Sequence, residues 1–214
     1  MFNEEFTAAS KGAAAKSALL KKNPVGYFLL SMLAGAYIGF GILLVFTLSG
    51  ALAGAPYTKL VMGCCFGVAL SLVVIAGAEL FTGNNLVMTA GLLRKTVTVA
   101  DALKLWGVCW LGNLAGSALL ALVFSLTGLY SDATLGAMTG AAAAKMTAGF
   151  IPLLTRGMLC NTLVCLAVWC GFRAKSDAGK LLMIFWCLLA FFATGFEHSI
   201  ANMTLLTLAL INNG

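Results

Sequence analysis

The stretch from Lys59 to Arg94 is predominantly apolar and carries one interior charge, Glu79. As a single helix it would be roughly 50 Å long, while the hydrocarbon core of a bilayer is about 30 Å thick. Midway lies ELFTGNN, whose Thr, Gly and two Asn are poor helix-interior residues. The stretch therefore reads as a membrane span broken in two. A helix is expected over 60–78, a loop over 79–85 and a short second half over 86–93.

The rest of the chain fits the same class. Charged residues make up 9% of the 214 and hydrophobic ones 61%, against about 25% charged in soluble domains. Ten-residue alternating strands are absent, which excludes a β-barrel. The reading is an all-α integral membrane protein. Residues 1–23 form an amphipathic helix with no apolar core of a cleavable signal. The transmembrane part is 24–214, with spans at about 25–50, 60–93 (broken), 103–127, 147–172 and 181–211. The last is also interrupted, by TGFEHSIAN at 194–202. The seven cysteines lie in apolar segments, odd in number and without a CxxC, so neither a disulfide framework nor a zinc site is implied. No cofactor or metal is expected.

Lysine and arginine set the orientation. Lys11, Lys16, Lys21 and Lys22 precede the first span. Arg94, Lys95 and Lys104 lie between the second and third, and Arg173, Lys175 and Lys180 between the fourth and fifth. These fall on one side, so the N-terminus is expected to be cytoplasmic. The basic residues cluster at helix ends rather than in one patch, which argues against nucleic acid as a partner. The two broken stretches then cross in opposite directions. Opposed broken helices are the mark of an inverted repeat with its working site where the breaks meet. Gly35, Gly39 and Gly41 on the first span, and Gly112 and Gly116 on the third, suit close helix contact.

Ionisable residues inside a membrane point to function. Glu79 and Glu197 read as braces that accept hydrogen bonds from the freed N–H groups of their own breaks. Asn113 and Asn202 are further candidates for supporting the breaks. His198, the single histidine, is either a satisfied core residue or a proton-exchanging group on a pathway. Lys145, at the expected outer end of the fourth span, reads equally as a snorkelling interface lysine or as an anion attractor. Arg156, three turns into that span, needs a partner or an interface. No nucleophile–base pair appears, so an enzyme is not expected.

The segments GAELFTG (77–83), WLGNLAGS (110–117), LCNTLVCLAVW (159–169) and GFEHSIANMT (195–204) together resemble the formate/nitrite transporter family, in order and spacing, over about residues 24–210. GAYIGFGILLVFTL and FWCLLAFFATGFEHSIANMTL are most similar to its nitrite branch. The resemblance implies an aquaporin-like fold, a homopentamer in the bacterial inner membrane with one pore per subunit, and passage of a small monovalent weak-acid anion, nitrite before formate or hydrosulfide. It places Thr82 in a mobile gating loop, Leu70 and Leu80 at one apolar constriction and Phe191 at the other. His198 would stand between them with Asn161 beside it, and Lys145 near the outer mouth. Five of the family's six spans are expected here, with the sixth missing after about Ile211, which leaves a non-conducting remnant as an alternative.

Overall fold

A computed structural model describes residues 2–213. Among them are nine α-helices and no strand. The N-terminal helix α1 (Asn3–Lys22) is followed, after Asn23, by α2 (Pro24–Ala51). Asn23 accepts from the Gly26 N–H and Pro24 occupies the first helical turn, so the sequence both ends one helix and starts the next there. Then come α3 (Thr58–Leu72), α4 (Phe81–Leu93) and α5 (Val99–Thr127). The second half holds α6 (Asp132–Thr147), α7 (Phe150–Arg173), α8 (Asp177–Thr194) and α9 (Ser199–Asn213).

Five segments are long and apolar enough to cross a membrane: α2, α3 with its extension to Gly77, α5, α7 and α8. Their outward faces carry exposed side chains such as Leu126, Phe150 and Met158. In water that surface would be a liability; against lipid it is solvation.

The fourth span lies close to its expected bounds of 147–172, but the sequence reading places no helix before it. Residues 132–147 form a separate helix, α6, and the span itself begins at Phe150. Lys145 is therefore in the last turn of α6 and not on the fourth span. The helix starts where the Ser131 hydroxyl accepts from the Thr134 N–H. Its Ala- and Gly-rich composition carries too little hydropathy to register as a span.

The core is built on α2, which packs against α5, α3, α6 and α9. The glycines allow this. A Cβ on Gly116 would lie 1.9 Å from the Met32 carbonyl oxygen, and one on Gly35 2.1 Å from that of Asn113. The α2 and α5 backbones are thus in direct contact. Gly116→Leu is expected to destabilise the protein by about 3 kcal/mol by forcing them apart. Thermal unfolding in detergent checks this; an unchanged transition would mean that the helices separate freely.

Candidate functional site

Both breaks are built on one pattern. Gly77 and Gly195 each take φ +82°, a left-handed turn that favours glycine. Two residues on come Glu79 and Glu197, and five further come Asn84 and Asn202. Each asparagine amide donates to its glutamate at 2.9 Å. Each glutamate pairs with a distant lysine at 2.5 Å: Lys16 of α1 with Glu79, Lys145 of α6 with Glu197. Each glutamate N–H donates to a facing helix, Glu79 to the Leu30 carbonyl and Glu197 to that of Arg156. The inverted repeat is thus visible bond by bond, with α1 and α6 in equivalent roles.

The glutamates do not accept from the freed N–H groups of their own breaks, as the sequence suggested, but from side chains. Glu79 accepts from Lys16, from the Tyr27 hydroxyl at 3.1 Å and from Asn84, all side chains. Glu197 accepts from Lys145 and Asn202. The freed backbone is satisfied elsewhere. At the first break α3 ends in a wide turn, Val73–Gly77, whose closing bond runs from the Ala78 N–H to the Val73 carbonyl. Buried Asn113 of α5 then donates to the Ser31 and Glu79 carbonyls and accepts from the Phe81 N–H. That cap lets α4 restart at Phe81. The break is therefore three residues, 78–80, and not the loop 79–85. Thr82, expected in a mobile loop, lies buried in the first turn of α4.

The second break is likewise short, from Gly195 to His198. It is capped from within: Nδ1 of His198 accepts from the Ala201 N–H at 3.1 Å. A neutral imidazole that accepts at Nδ1 carries its proton on Nε2. Nε2 faces the Thr82 hydroxyl at 3.4 Å, so the proton points across from one break to the other. The ring stacks on Phe191, centroids 5.8 Å apart. A doubly protonated ring would turn a second N–H onto that of Ala201 and lose the cap.

Three cavities meet His198 or approach it. On the α1 side, a cavity of about 540 Å³ holds Lys16, Glu79, Leu70 and Leu80. On the α6 side, one of about 490 Å³ holds Lys145, Glu197, Phe191 and His198. Between them lies a constricted apolar waist with no room for water, lined by Leu70, Phe66, Phe191 and His198 among others. The third cavity, about 740 Å³, opens sideways between α4 and α7. Asn161 lines it with Thr82 and His198, and its Oδ1 has no hydrogen-bond partner. No described helix covers the second break there as α5 covers the first.

Comparison with known proteins follows the geometry. The family model described as formate/nitrite transporter matches residues 3–214. The chain belongs to the formate/nitrite transporter family. It is 44% identical to the nitrite transporter NirC of Salmonella typhimurium, over 98% of this chain and 77% of that protein. A solved FNT family ion channel superposes with a TM-score of 0.93 at 43% identity, covering 98% of this chain and 84% of its own. A pentameric formate channel with formate bound gives 0.80 at 31%, covering 89% and 76%. A formate/nitrite transporter is a multi-pass membrane transport protein and not an enzyme, and this one has the aquaporin-like arrangement expected of it.

Sequence reasoning missed two functional elements of this transporter, α6 as a helix in its own right and Lys16 as the partner of Glu79. The sequence does carry a sign of the repeat itself. The breaks share the spacing G-x-E-x-x-x-x-N, so an acid with a lysine partner in one half predicts another in the other half.

Proposed function

We propose that the protein is a channel for a small monovalent weak-acid anion, nitrite above all. The observation that carries this is the waist: two wet cavities, each with a Lys–Glu pair, are separated by a dry apolar constriction whose one polar lining residue is His198. A bare anion crosses such a constriction at great cost, while a neutral acid does not. In this reading Lys145 draws the anion to one mouth. Leu70 and Leu80 form the constriction on the α1 side and Phe191 that on the α6 side. The Nε2–H of His198 and the Thr82 hydroxyl share a proton with the permeant species, and Asn161 stands beside them. Glu79, Glu197, Asn113 and Asn202 hold the breaks open to the pathway. The subunit assembles as a homopentamer in the bacterial inner membrane with its N-terminus cytoplasmic. The 44% identity to a nitrite transporter supports nitrite over formate.

Uptake into proteoliposomes tests the proposal. Nitrite uptake is expected to rise as the pH falls from 8 to 5, because more of it is the neutral acid, and sulfate is expected not to enter. Formate or hydrosulfide flux without nitrite flux would move the assignment within the family. No flux of any of the three would leave a non-conducting membrane protein.

A further inference from the structure

The two mouths share a frame but not a charge. The α1-side cavity is lined by two charged groups, Lys16 and Glu79, which pair with each other. The α6-side cavity is lined by three cations, Lys59, Lys145 and Arg156, and one carboxylate, Glu197. Lys145 takes that carboxylate. Neither Lys59 nor Arg156 forms an ion pair among the described residues. Asp132, on the same side at the start of α6, is exposed and does not line the cavity.

Both unpaired cations are exposed residues that line the α6-side cavity beside the second break. Lys59 stands at the start of α3, with Nζ 3.7 Å from where a Cβ on Gly195 would lie. Arg156 is tied through its carbonyl to the Glu197 N–H at 3.4 Å. The residue in the equivalent bond at the first break is Leu30, which lines the α1-side cavity and has no charge. The helix equivalent to α3 is α8, and it opens on Asp177, an acid paired with Lys180. The asymmetry is therefore built at both positions.

Unpaired charges of one sign in a cleft with low-dielectric walls focus the field and raise the local concentration of the opposite ion. We infer that Lys59 and Arg156 form an anion-collecting station at the α6-side mouth, separate from the Lys145–Glu197 pair and without a counterpart at the α1-side mouth. Its ligands are small inorganic anions held loosely by charge. If the pathway conducts as proposed above, the station raises the rate at which anions enter from the α6 side.

Ser49 lines the same cavity and offers a probe of its potential. The full-length protein with Ser49→Cys is treated with anionic sulfonatoethyl and cationic trimethylammonioethyl methanethiosulfonate, with the parent protein correcting for native cysteines. At about 10 mM ionic strength the screening length is roughly 30 Å. The anionic reagent is expected to gain about tenfold over the cationic one, relative to their rates on a free thiol. That preference should vanish when Lys59→Gln and Arg156→Gln are added, and persist with Lys16→Gln. An unchanged preference when both glutamines are added, or no preference in the Ser49→Cys protein itself, overturns the station. The readout needs no conduction, so a failure of the channel reading shows separately, as absent nitrite flux with the reagent preference intact.

Discussion

With His198→Phe, nitrite flux into proteoliposomes is expected to fall by about 100-fold, the scale of losing a positioned proton donor. Its rise toward low pH should flatten with it. The aromatic ring preserves bulk against Phe191 but removes the Nε2–H that faces Thr82. It also removes the Nδ1 cap on the Ala201 N–H, a cost of about 1 kcal/mol to the start of α9. A second substitution separates the two losses. His198→Asn can cap the same N–H with its side-chain oxygen but has no ring to stack. If the asparagine variant folds like the parent and still fails to carry nitrite, the loss lies in the pathway. Undiminished nitrite flux in the phenylalanine variant would instead show that the permeant species needs no proton from His198.

The second large effect is on the fold. Glu79→Leu leaves Lys16 unpaired and removes the acceptor of the Tyr27 hydroxyl, which keeps only the bond it accepts from the Asn84 amide. Breaking a buried pair on one side typically costs 3–5 kcal/mol, so a loss of about 4 kcal/mol is expected. Because the pair clamps α1 onto the first break, α1 should become accessible to protease. Adding Lys16→Met is expected to recover a substantial part of the loss, since an apolar pair of similar volume replaces a charged one. Melting temperatures of the two single variants and the double variant decide it. A double variant as unstable as Glu79→Leu would show that the lysine contributes nothing to the break.

How much of this was legible in the sequence depends on distance along the chain. The spans and both breaks follow from hydropathy and from Thr, Gly and Asn in a run too long for one helix. These are local signals. The break itself was read as seven residues because TGNN disfavours helix interiors. Asn113, far along the chain on α5, caps Phe81 and reverses that preference. The same limit hid the bracing of the glutamates. Glu79 and Lys16 are separated by 63 residues and Glu197 and Lys145 by 52, so no window of helical spacing joins them. The α6 helix escaped for another reason, because small residues give it neither a span's hydropathy nor a polar helix's charges. His198 was singled out correctly as a polar group in a break. That it caps its own helix through Nδ1 and leaves Nε2 facing Thr82 needed coordinates.

The paired breaks differ most tellingly at the residue after each glutamate. There the first has Leu80 and the second His198, in the same place in the same frame. Gly, Glu, Asn and the distant lysine recur in both breaks, and at this position one carries an apolar side chain and the other an imidazole. The bonds from glutamate to asparagine and lysine do not pass through this position, so the same mount carries two unlike side chains in its two copies.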